Sequence, residues 1–153
     1  MRKAHYHPHN LLDRKELRKG AGYPHEDNDC TVVALSIAGQ MTYARAHELL
    51  IIHASRKERS GPSLYALERG MKKLGFEYTE FPTEYREVHR YYGLVSRAHN
   101  ITLKKWMEYP PHRKGRYILS MRGHVFAVVD GVVQDSRLRG PRTNIEGHWK
   151  ASN

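Results

Sequence analysis

An α+β fold, with N-terminal helices packed on a C-terminal antiparallel meander sheet, follows from three observations. Between residues 30 and 75, apolar residues recur at helical spacing, bounded by cap-type residues and glycines. From Gly115 onward the hydrophobic period changes to two. The dipeptide Asp130-Gly131, set between two apolar runs, is a strong short-range hairpin signal. Helices grouped before strands argue against alternating β–α–β units.

Residues 1–22 are polar and basic and read as an N-terminal arm, with a short helix near residues 11–17. Gly20-Ala21-Gly22-Tyr23-Pro24 then punctuates the chain, and a single domain is expected over residues 23–153. Cap-type residues from His25 to Asp29 precede Cys30 and the apolar residues 32–38, which stop at Gly39. That run is apolar nearly all round, so its helix should be buried. Thr42 caps a second helix, with Tyr43, Ala46, Leu49 and Leu50 on one face. A charged connection over residues 56–61 leads to Ser63, the cap of a third helix. Leu64, Leu67, Met71 and Leu74 form its stripe and Gly75 its stop. Residues 76–81 read as a short strand, and residues 83–101 show no clear period. Thr102 caps a short helix over 103–108, closed by Pro110-Pro111. Strands follow at 116–121, 124–129 and 132–135.

The chain of 153 residues is long enough to bury one core. Lys and Arg number 26 against 16 Asp and Glu, a formal net charge of +10. That excess favours a polyanionic neighbour such as nucleic acid without proving one. Basic residues concentrate at 2–19, 56–59, 113–116 and 137–142; the last group could equally select an acidic substrate. A single cysteine excludes an internal disulfide and a Cys-rich zinc site, and a lone thiol suits a reducing, cytoplasmic setting. No apolar run approaches the roughly 18 residues that span a bilayer, so no membrane partner is expected. The opening residues lack the apolar region of a secretory signal. His5, His7 and His9 alternate in a polar tail, without the neighbours that orient metal-ligating imidazoles, and no metal site is expected there.

Cys30 is placed at the start of the buried helix, where unpaired N–H groups and the helix dipole lower a thiol pKa. Its own N–H would point at an oxyanion formed on an attacked carbonyl. His124 heads a strand, directly after Gly123. With a two-residue turn at Asp130-Gly131, Val129 pairs with Val132 and Phe126 faces Asp135. Asp135 then shares a face with His124, one diagonal step away and within reach of Nδ1. Each residue alone has a bland reading as core or strand end. Together they follow the nucleophile, base and orienter logic of a catalytic triad.

The stretch Asp29-Cys30-Thr31-Val32-Val33-Ala34-Leu35 and the stretch from Gly123 to Asp135 resemble the papain-like cysteine peptidase fold. The likeness is to small bacterial and bacteriophage members, including bacteriocin-processing peptidase domains, and covers roughly residues 23–137. It implies a bacteriophage-encoded protein of host cytoplasm or virion, a peptide or protein substrate and no cofactor. It also implies Cys30 as nucleophile, His124 as general base and acid, and Asp135 as orienter. Papain-like enzymes usually place a Gln about six residues before the cysteine, where its amide completes the oxyanion hole; here Pro24 stands there. Asn28 could donate an amide instead. Two functions follow as expectations: thiol hydrolysis of a peptide or isopeptide bond, or the related acyl transfer, by an enzyme; or a non-catalytic relative that binds nucleic acid or a virion or host protein through its basic surface.

Overall fold

The structure, a computed structural model, describes residues 6–8, 18–23, 25–78, 89–91, 94–96, 101–135 and 140–152. The expected helix near 11–17, Pro24, residues 79–81 of the expected strand and the basic residues 137–139 lie outside them. The fold is α+β, helices followed by an antiparallel sheet. Its helices are α1 (Cys30–Ala38), α2 (Tyr43–Ala54), α3 (Leu64–Met71) and α4 (Leu103–Glu108). A 3₁₀ turn spans Pro110–Arg113. The strands are β1 (Tyr6–Pro8), β2 (Phe76–Tyr78), β3 (His89–Tyr91), β4 (Leu94–Ser96), β5 (Ile101–Thr102), β6 (Arg116–Met121), β7 (His124–Val129), β8 (Val132–Asp135), β9 (Asn144–Ile145) and β10 (Gly147–Ala151).

The helices start where side chains can satisfy free N–H groups of the first turn. Thr42 accepts from Arg45 N–H, Ser63 from Ala66 N–H and Thr102 from Lys105 N–H. In α1, Val32, Val33, Ala34, Leu35 and Ala38 are all buried, as an all-round apolar helix requires. On α2, Tyr43, Ala46 and Leu50 face inward together with His47, and Leu67 and Met71 do so on α3. Gly70 lets α3 approach α2 closely: a Cβ there would stand 2.3 Å from the His53 carbonyl oxygen.

The main sheet has six strands in the order β1-β8-β7-β6-β10-β2. The β7–β8 hairpin has the register a two-residue turn dictates, with Val129 opposite Val132 and Ala127 opposite Gln134. Asp130 and Gly131 both have positive φ (49° and 79°), the backbone that favours Asp-Gly here. The Asp130 carboxylate also accepts from Gly115 N–H at 2.9 Å. Two departures from the sequence reading concern the sheet's edges. The sheet does not end at Asp135: β10 enters it between β6 and β2, antiparallel to both. Gly147, His148, Trp149 and Ala151 are all buried, so this strand shows no alternation to read. Within the segment read as an arm, residues 6–8 pair in parallel with β8, placing Pro8 opposite Asp135.

The sheet buries apolar residues on both faces. On one face, α1, α2 and α3 cover Ile118, Ala127 and Trp149. On the other, Leu103 and Trp106 of α4 and Ile145 of β9 pack with Leu119, Phe126 and Val128. That second core contains histidines. Trp106 Nε1 donates to His148 Nδ1 at 3.0 Å, and His112 Nδ1 donates to the Trp106 carbonyl at 2.7 Å. The His112 ring stacks on Trp106, and burial pushes its pKa down to about 4. His112 is therefore neutral in the fold, whereas the unfolded chain takes up its proton near pH 6.5. Stability from this residue is full above about pH 6.5 and declines as pH falls toward 4, by about 3 kcal/mol in all. Urea unfolding across that window should show the decline, and His112→Asn, which keeps a donor for the Trp106 carbonyl, should flatten it. An unchanged slope in the variant would assign the decline to other groups.

Candidate active site

Three elements bring three side chains together, two of them lining one cleft and Asp135 buried behind the imidazole. The N-terminus of α1 presents Cys30, the head of β7 presents His124, and the end of β8 presents Asp135. Gly123 (φ 72°) turns the chain from β6 into β7, so that Met121 pairs with His124 at the mouth of the hairpin. Cys30, Thr31, Gly61, Leu67, His124 and Val125 are among the residues lining the cleft, whose volume is about 300 Å³.

His124 Nε2 lies 2.9 Å from both Asp135 carboxylate oxygens. The sequence reading put Nδ1 on Asp135; the ring is turned the other way, which leaves Nδ1 for the cysteine. Asp135 is almost fully buried and His124 only slightly exposed, so their attraction is little screened by water. Burial alone would lower the His124 pKa. Hydrogen bonding to Asp135 and to Cys30, with the charge of both, raises it instead. Burial likewise pushes the Cys30 thiol up, but the His124 hydrogen bond, the Val125 backbone N–H and the imidazolium charge bring it below its ordinary value. Both shifts run toward a thiolate–imidazolium pair. The first-turn N–H groups of α1, that of Cys30 included, have no intrahelical acceptor and face the same end of the helix as the sulfur.

Asn28 is placed differently from the expectation. Its left-handed backbone (φ 47°) turns the side chain toward the 56–61 connection, where Nδ2 donates to the Arg59 carbonyl at 3.0 Å. That bond holds the amide toward the connection, and Asn28 is not among the described residues lining the cleft.

The residues that hold the cleft together were not legible as such. Asp29 caps α1 by position, yet its carboxylate makes no capping bond. It accepts from Arg18 through Nε (2.7 Å) and Nη2 (2.6 Å) and from the Tyr43 hydroxyl (2.7 Å), fixing the residue before Cys30. Glu26 is buried and accepts from Arg56 Nη1 (3.0 Å) and Nη2 (2.9 Å), from the Arg59 N–H (2.6 Å) and from His47. The His47 ring stacks on Tyr23 at 3.7 Å. This network ties residues 26–28 to the connection that supplies Gly61 and Pro62 to the cleft wall. It also removes Arg56 from the basic surface read at residues 56–59, since that side chain is buried against Glu26, whereas Lys57 and Arg59 stay exposed, Arg59 paired with Asp27 at 3.1 Å. The sequence signal available was a Glu and an Arg flanking apolar helices, which carries no distance information.

Among the described residues, no group of three His, Cys, Asp or Glu side chains is placed to hold a metal ion. His5 and His9 lie outside those residues, and His7 is described as backbone alone. No helix among them is long and apolar enough to cross a membrane. Comparisons of the chain with protein-family models, with curated proteins and with solved structures find no match.

Proposed function

We propose that this chain is a papain-like thiol hydrolase acting on a peptide or isopeptide bond. The observation that carries the reading is that Cys30 and His124 line one cleft with Asp135 buried behind the imidazole at 2.9 Å, an arrangement that lowers the thiol pKa and raises that of the imidazole. The Cys30 thiolate attacks the carbonyl carbon, a C–S bond forms, and the carbonyl electron pair moves onto oxygen beside the α1 N–H groups. The oxyanion then collapses, the C–N bond breaks, and the His124 imidazolium gives its proton to the leaving amine. Water attacks the thioester, His124 takes its proton, and the thiol and a carboxylic acid are released. Asp135 holds the ring and stabilises its charge through Nε2.

A second reading keeps this architecture without turnover: a protein that binds nucleic acid, or a virion or host protein, through its basic surface. It is favoured by the oxyanion side of the cleft, where no Asn or Gln lines the wall among the described residues. One experiment separates the two. Iodoacetamide should alkylate native protein rapidly at about pH 6, where an ordinary thiol is almost wholly protonated, and His124→Ala should slow it strongly. Peptide-like electrophiles should form an adduct on Cys30. Labelling that only follows unfolding, with no adduct from several electrophiles, would favour the binding protein.

A further inference from the structure

The cleft has two unlike walls. Gly61, Pro62 and Leu67 make one side small and apolar, and Met121 and Glu146 stand on the other. Among the described lining residues Glu146 is the one carboxylate, and none of them is Lys or Arg. Glu146 lies between β9 and β10, is exposed, and has no cation paired with it in the described ion pairs. Its backbone is fixed, with the N–H donating to the Ser120 carbonyl at 2.8 Å. Met121 pairs with His124 and Ser120 with Gly147, so the Glu146 backbone stands two interstrand spacings from that of His124, roughly 10 Å. An extended peptide advances roughly 3.3 Å per residue, so a long side chain near the scissile bond spans that gap. A Cβ at Gly123 would stand in open space, and one at Gly61 would meet only the Asn28 carbonyl oxygen, at 3.9 Å, so a peptide backbone can run beside Cys30.

We propose that Glu146 selects substrates with a cationic side chain, Lys or Arg, on a residue flanking the scissile bond. The inference rests on the hydrolase reading above. It gives the cleft a local charge opposite to the +10 of the chain, which would otherwise repel such a peptide.

The test uses three peptide chloromethyl ketones that differ in one residue beside the electrophile: Lys, norleucine or Glu. Wild-type protein should label about fivefold faster with the Lys probe than with norleucine, as expected for a rim charge pair, and slowest with Glu. The preference should shrink as salt is raised. In Glu146→Gln the Lys-to-norleucine ratio should fall to about one, and in Glu146→Lys the order should reverse. Labelling of Cys30 by all three probes at equal rates, or a wild-type preference unchanged in Glu146→Gln, overturns the role of Glu146 and leaves the hydrolase reading standing. No labelling of Cys30 by any probe overturns both. The wild-type series alone decides the sign if a variant does not fold.

Discussion

Replacing Cys30 with alanine should abolish turnover, by about 10⁴-fold or more, while leaving the fold intact. The chain has no second cysteine to take its place, and the members of a triad act as a unit, so little partial activity should remain. Asp135→Asn should lower kcat by about 10²–10⁴ with little change in KM, because it touches the imidazole rather than the substrate. The pH profile gives a sharper reading. Asp135 raises the His124 pKa, so its neutral replacement should move the alkaline limb of kcat/KM to lower pH and narrow the active window. A variant that loses rate with an unmoved alkaline limb would mean that Asp135 only supports packing. Circular dichroism of each variant checks the fold.

The second large effect concerns stability. Arg56→Ala should cost about 3–5 kcal/mol, since it leaves the buried Glu26 carboxylate without its main partner. Glu26→Gln should cost less, because the amide still accepts from the Arg59 N–H. The pH dependence has a definite sign. Burial alone would raise the Glu26 pKa; hydrogen bonds from Arg56, His47 and the Arg59 N–H bring it down to about 2. Its contribution, about 3 kcal/mol, is full above the unfolded value near 4.5 and lost as pH falls toward 2. Denaturant unfolding at neutral and acid pH measures both quantities. A loss below about 1 kcal/mol for Arg56→Ala would show that water replaces the guanidinium at little cost. A Glu26→Leu, Arg56→Met double variant should lose much less than the two single losses added together, because no charge is left stranded.

What the sequence made legible divides along local lines. Thr42, Ser63 and Thr102 could be read as caps because a cap bonds an N–H only a few residues away. The Asp130-Gly131 turn set the register, and the register set Asp135 beside His124. The turned ring escaped that argument, since register fixes a face and not a side-chain torsion. Asn28 escaped it because a left-handed residue reverses direction without any hydrophobic period to mark it. The links from Glu26 to Arg56 and from Asp29 to Arg18 and Tyr43 join segments that nothing local connects. β10 was hidden by burial on both faces, and β1 by its brevity.

The parallel pairing of β1 with β8 bears on the order in which the molecule assembles. Tyr6 lies opposite Val133, so this ladder joins one of the first segments of the chain to one of the last strands. Cys30 and His124 are also far apart in sequence. Closing such long loops is entropically expensive before any contact rewards it, and folds dominated by non-local pairings form slowly. During synthesis the helices are complete well before β7 and β8 emerge. The thiol therefore spends that interval as an ordinary cysteine, without the imidazole that lowers its pKa. On the hydrolase reading proposed above, nucleophilic reactivity would therefore belong to the assembled fold: it would arise only once the β7–β8 hairpin brings His124 to Cys30.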